Sequence, residues 1–127
     1  MDTTILVAAE REDVALDELI ADDDDIAIAA VTAAELLVGV ELADARRRGR
    51  RATFVEELLG VIPVETYDLA VARAHAELLA HARRSGQTRG AHDLLIAATA
   101  LERARTIVTS DPAGFAGLPG LEVRPAA

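Results

Sequence analysis

Residues 91–111, AHDLLIAATALERARTIVTSD, decide the fold class. Ala91 to Arg103 reads as a helix and TIVTS (106–110) as a strand, so a helix hands directly on to an apolar strand. An acid stands at each end of the unit: Asp93 opens the helix and Asp111 follows the strand. The same alternation recurs upstream. Residues 3–9 are apolar and β-tolerant, and IAIAAV (26–31) is a continuous apolar run of the kind that suits a parallel sheet covered on both faces. VIPVE (61–65) is a further short strand, and LEVRP (121–125) a weak last one at the edge. Strands separated by helices imply right-handed crossovers and helices on both sides of the sheet. The expected architecture is therefore α/β: a three-layer α/β/α sandwich with a mainly parallel central sheet, in a single domain over 1–127.

The helices follow from apolar spacing and caps. DVALDELIADDDD (13–25) reads as a short amphipathic helix with Val14, Leu16, Leu19 and Ile20 inward. AAELLVGVELADA (33–45) follows Thr32, which with Glu35 three residues on matches a capping box. A helix is expected over about 50–59, and a long one from Tyr67 to Arg84 with Leu69, Ala72, Ala76, Leu79 and Ala80 as its inner stripe. SGQTRG (85–90) is the clearest loop. DPAGF (111–115) reads as a turn or helix start with Pro at the first helical position.

Composition excludes several classes of function. Ala, Leu, Val and Ile supply nearly all of the 51% apolar content, and two Phe, one Tyr and no Trp leave few platforms for stacking bare bases. No apolar run approaches the roughly 18 residues needed to span a bilayer, and no secretory signal pattern is present. With no cysteine there is neither a disulfide framework nor a thiolate metal site. A cytoplasmic protein is the expectation. No HExxH, glycine-rich phosphate loop or GxSxG elbow occurs.

The net charge of −9 is unevenly spread. Asp22 to Asp25 form one acidic run, and Asp2, Glu35, Asp93 and Asp111 stand apart at the edges of apolar elements. Without those eight acids the balance is about −1. All basic side chains except histidine are Arg, clumped as Arg46, Arg47, Arg48, Arg50 and Arg51 and again as Arg83, Arg84 and Arg89. Arg suits bidentate phosphate contacts, although it serves solvated helix faces and dimer contacts equally well.

The four separate acids carry the chemistry. Acids at the mouths of core elements cost folding free energy unless they are paired, hydrogen-bonded or bound to metal. Each alone has an ordinary explanation: Asp111 as an N-cap before Pro112, Asp93 as a first-turn acid favoured by the helix dipole, Glu35 as a capping-box partner, Asp2 as a surface acid. Four such coincidences at one edge of one sheet are less economical than a shared cation. In open α/β sheets ligands bind at the carboxyl ends of the strands, where Asp111 must lie. An all-carboxylate set suits Mg²⁺ or Mn²⁺ better than Zn²⁺, and phosphodiester hydrolysis is the chemistry such ions serve. Thr3, Thr4, Thr109 and Ser110 add hydroxyls beside Asp2 and Asp111, able to orient carboxylates or simply to make local turn bonds. Of the histidines, His75 and His81 are six apart on one helix and read as surface residues, while His92 adjoins Asp93.

In order and spacing, MDTTILVAAER, AAELLVGV, GQTRGAHDLLIAATA and IVTSDPAGF resemble the motifs of PIN-domain ribonucleases, most closely the toxin component of bacterial VapBC-type toxin–antitoxin modules. The resemblance covers essentially the whole chain and implies a PIN-like sandwich. It implies that Asp2, Glu35, Asp93 and Asp111 form an acidic Mg²⁺ or Mn²⁺ site, with Thr109 and Thr4, where the family usually has Ser, at accessory hydroxyl positions. Arg89 and His92 stand beside this set as candidate RNA contacts. It further implies cleavage of structured RNA such as tRNA or rRNA, a homodimer, and a VapB-type antitoxin. That partner would cover the active site with its C-terminal segment and bind operator DNA. The sequence departs from the pattern at its start, where only Met1 precedes the first acid. The first strand is then formed by TTILV with Asp2 near its beginning, is very short, or is missing because translation begins upstream. Two other readings compete: a phospho-receiver, against which the absence of Lys weighs, and a binding module whose acids only cap helices.

Overall fold

The structure, a computed structural model, describes residues 4–8 and 25–125. Its elements are β1 (Thr4–Ala8), β2 (Asp25–Ala29), α1 (Ala30–Leu42), α2 (Ala45–Val61), β3 (Val64–Glu65), α3 (Leu69–Arg84), α4 (Ala91–Arg103), β4 (Thr106–Thr109), a 3₁₀ turn (Pro112–Phe115) and β5 (Val123–Pro125). The five strands form one sheet in the order β3-β2-β1-β4-β5, and every pairing is parallel.

Alternation along the strands divides the core into two layers. Leu6, Ala8, Ala27 and Ala29 face α3 and α4, meeting Val71, Ala74, Leu78, Leu94 and Ala97. Ile5, Val7, Ile26 and Ile28 face the other way, onto Leu36 and Val40 of α1 and Val55 and Leu58 of α2. The expected α/β/α sandwich with a parallel sheet is therefore what forms, because each central strand is apolar on both faces and must be covered twice. Among the described residues no helix is long and apolar enough to cross a membrane. The helix expected over 13–25 lies outside the described residues except for Asp25, which begins β2.

Four expectations about local structure are corrected. The capping box does not form: α1 starts at Ala30, its N-cap is Ala29, and no side chain caps it. Thr32 is instead inside the helix, 1% exposed, and its hydroxyl has no hydrogen-bond partner among the described residues. Burial of Ile28 and Ala29 fixes where β2 ends, and the helix begins directly there. The second helix is longer than expected. Asp44 caps it by accepting from the Arg47 N–H at 2.9 Å, so the arginine-rich stretch is its first half. The third begins after Tyr67, with Asp68 accepting from the Val71 N–H at 3.0 Å. Its buried stripe is Val71, Ala74, Leu78 and Ala82, and Leu69 is 67% exposed.

Arg105 ties the sheet together at the entrance to β4. Its guanidinium donates to the carbonyls of Ile5 (3.2 Å) and Asp25 (2.9 Å) and to Glu65 Oε1 (Nε, 3.1 Å), so β1, β2 and β3 are bound to one cation. Arg103 binds Glu65 Oε2 at 3.1 Å and Asp68 Oδ2 at 2.8 Å. That hydrogen bond from Arg103, with the Val71 N–H, holds the Asp68 carboxyl below the ordinary carboxylate value.

Candidate functional site

Asp93 lies in the first turn of α4, three residues beyond its N-cap, Gly90. Asp111 follows β4 directly and sits at the N-cap position of the 3₁₀ turn, yet its side chain makes no capping bond. Glu35 is in the second turn of α1, free of any capping box. The capping explanations for Glu35 and Asp111 thus fail in the structure. Asp111 is held through its backbone: its N–H donates to the hydroxyl of Thr109 at 3.0 Å, and Thr109 is 1% exposed. Asp2 lies outside the described residues, as does the side chain of Thr4.

Asp93 and Asp111 converge on Gly114. A Cβ placed on that glycine would stand 2.9 Å from Asp93 Oδ2 and 3.6 Å from Asp111 Oδ2. Gly114 has no positive φ, so its backbone does not need glycine. What requires glycine is room beside the two carboxylates. Gly90 is also close, since a Cβ there would lie 3.5 Å from Asp93 Oδ2.

The electrostatics carry the same imprint. The Asp93 carboxyl is pushed up, first by burial and then by the neighbouring charges of Asp111 and Glu35; His92 and Arg89 pull it the other way. Glu35 Oε1 is in contact with His92 Nδ1, so the histidine adjoining Asp93 in sequence is spent on the third acid. Arg89 reaches over the 3₁₀ turn. Its guanidinium donates to the carbonyls of Ala113 (3.2 Å) and Gly114 (3.1 Å), to Ala116, and to Gln87 Oε1 (2.9 Å). It therefore clamps the segment that carries Gly114 against the loop leading into α4. This role had no signal in the sequence beyond the closeness of Arg89 to Asp93, and Gly114 none beyond its place three residues after Asp111.

Among the described residues no three His, Cys, Asp or Glu side chains lie close enough together to hold a metal ion. Two carboxylates meet, and a third, Glu35, acts on them through its charge. This donor set fits a hard divalent cation in kind: it is all oxygen, its members repel one another, and the glycine lets both carboxylates come close to the same turn. Replacing Gly114 by Ala is expected to lower any activity of the site by roughly 10- to 100-fold, as a misplacement near 1 Å does at a reacting centre. Circular dichroism should show the fold unchanged, since the backbone tolerates Ala there. Activity equal to the parent's would show that the space is not used.

The PIN domain model matches residues 1–120. The chain belongs to the PIN-domain family. Among curated relatives of this PIN domain, Ribonuclease VapC of Rickettsia bellii is 31% identical over 124 residues, 97% of this chain and 92% of the relative. The solved VapBC-5 of Mycobacterium tuberculosis is 30% identical with a TM-score of 0.79 and 98% of both chains covered. VapBC2 of Rickettsia felis, solved with a DNA fragment from its promoter, has a TM-score of 0.82 over 98% of both chains. At 21% identity that last likeness speaks for the fold alone.

Proposed function

We propose that this PIN domain is a VapC-type endoribonuclease, the toxin of a VapBC-type module, hydrolysing structured RNA such as tRNA or rRNA with Mg²⁺ or Mn²⁺. The observation that carries the reading is the meeting of Asp93 and Asp111 about Gly114 at the end of β4, in a chain similar over nearly its whole length to a VapC ribonuclease. Asp93 and Asp111 would hold the ion, with Glu35 and Asp2 completing the acidic set. Bound there, it would polarise a phosphoryl oxygen and supply hydroxide near neutral pH. The chain's own residues fix the geometry: Thr109 sets the backbone of Asp111, Arg89 pins the turn, and His92 orients Glu35. A VapB-type antitoxin, operator DNA bound through it, a homodimer and a cytoplasmic setting belong to the same reading. Leu37, Val38 and Leu42 of α1, Val61 of α2 and Leu69 of α3 are large apolar side chains left exposed in the single chain, and they offer surface for protein partners to cover.

The test is direct. Purified protein should cut RNA in Mg²⁺ or Mn²⁺ and stop in EDTA. The same ions should raise the melting temperature, by the equivalent of about 2.7 kcal/mol at a hundredfold excess over Kd. Cutting that persists in EDTA, or melting that ignores the metal, contradicts the proposal.

A further inference from the structure

The first half of α2 presents an arrangement that helix stability does not explain. Arg46, Arg47 and Arg48 fall in the first turn, at the positive end of the helix dipole, with no acid in that turn. Arg46 and Arg50 are four residues apart and Arg47 and Arg50 three, so their like charges share one face and repel. Arg48 has a partner in Glu41 at 3.0 Å, and Arg51 donates to the Gly39 carbonyl at 3.5 Å. Arg46, Arg47 and Arg50 are exposed, and their side chains have no ion pair or hydrogen bond among the described residues. All three line a single surface concavity with Asp44. The buried residues of α2, Val55 and Leu58, are confined to its second half. The arginines therefore serve no packing role.

The neighbouring arginines Arg48 and Arg51 set this stretch against the helix that carries Glu35. Arg51 and Arg48 touch α1 at Gly39 and Glu41, four and six residues beyond Glu35. At the helical rise this is about 6 and 9 Å along the axis from the third acid. We propose that Arg46, Arg47 and Arg50 form an anchor for the phosphate backbone of RNA. They would engage a segment flanking the phosphate at the Asp93–Asp111 site and offset the repulsion that a chain of net charge −9 exerts on a polyanion. The planar guanidinium makes bidentate bonds to phosphate, and a phosphate seated among these groups relieves both the dipole and the like-charge repulsion. This rests on the reading that the domain acts on RNA, but its test reads binding and not cleavage.

The experiment compares Asp93→Asn with the same chain carrying Arg46→Gln, Arg47→Gln and Arg50→Gln. It follows the affinity for a short hairpin RNA as a function of salt. Loss of three phosphate contacts should reduce the slope of log K against log salt by about 2 to 3, and Arg47→Gln alone by just under 1. Melting of the triple variant should be no lower than that of its parent, because the substitutions remove repulsion. Unchanged slopes overturn the proposal, as does a fall in melting temperature, which would give the arginines a structural role. Arginine-dependent binding of polyglutamate with hairpin RNA unaffected also overturns it, in favour of an acidic protein partner. If wild-type protein with Mg²⁺ or Mn²⁺ leaves the hairpin uncut while the slopes change as expected, the nuclease reading fails and the anchor stands.

Discussion

Asp93→Asn is expected to lower RNA cleavage at least about 100-fold while raising the melting temperature of the metal-free protein. The first effect follows from removing a charged ligand, since even residues that only orient ligands cost 10- to 100-fold when lost. The second follows from the repulsion among the acids. Burial and the charges of Asp111 and Glu35 raise the Asp93 carboxyl, so the folded state prefers it neutral. A raised carboxyl favours folding below its unfolded value, near 3.9, and that advantage is lost as pH rises through the folded value. At neutral pH the ionised group is a burden that the amide does not carry. Asp93 is only partly buried, so the gain is modest, but its sign is set. The difference in melting temperature between the two proteins should vanish as pH falls below about 4. A variant that is both inactive and less stable at neutral pH would mean that Asp93 supports the fold.

Arg105→Ala is expected to destabilise the protein by about 3–5 kcal/mol, the usual result of removing one partner of a buried ion pair. The Arg105 side chain is only 9% exposed and bonds to Glu65 and to the carbonyls of Ile5 and Asp25. Its loss leaves Glu65 with Arg103 alone and frees two carbonyls at the start of the central strands. Against a total stability of about 5–15 kcal/mol, that change is large. Urea unfolding should show the midpoint falling sharply for Ala. Arg105→Lys should recover only part, because an ammonium cannot span the same set of acceptors. A loss below about 1 kcal/mol for Ala would show that the network contributes little net stability.

The parallel sheet was legible because its strands are short apolar runs with helical patterns between them, and TIVTS and AHDLLIAATALER show this most plainly. The start of α1 was not, since Thr32 and Glu35 match a capping box in sequence while burial of Ala29 sets the boundary in space. The inner stripe of α3 differs from the expected one for a different reason. Alanines at 70, 72, 74, 76, 80 and 82 make several faces equally apolar, and only packing selects Val71, Ala74, Leu78 and Ala82. The first half of α2 lacks any apolar period, so its helix shows only through the Asp44 cap. At the site, Asp93 and Asp111 stood out as acids beside buried elements, and the structure brings them together. The approach of Asp93 to Gly114, 21 residues on, and the clamp by Arg89 on carbonyls 24 to 27 residues away depend on distant segments meeting, which linear spacing does not reveal.

The most direct test is a Mn²⁺ titration of wild-type protein and of Asp93→Asn and Asp111→Asn, with free ion followed by electron paramagnetic resonance and RNA cleavage measured in the same samples. The account predicts saturable binding by the wild-type chain that weakens in both variants, with cleavage lost in step. Equal Mn²⁺ binding by all three proteins, or cleavage that survives when binding is lost, would contradict it.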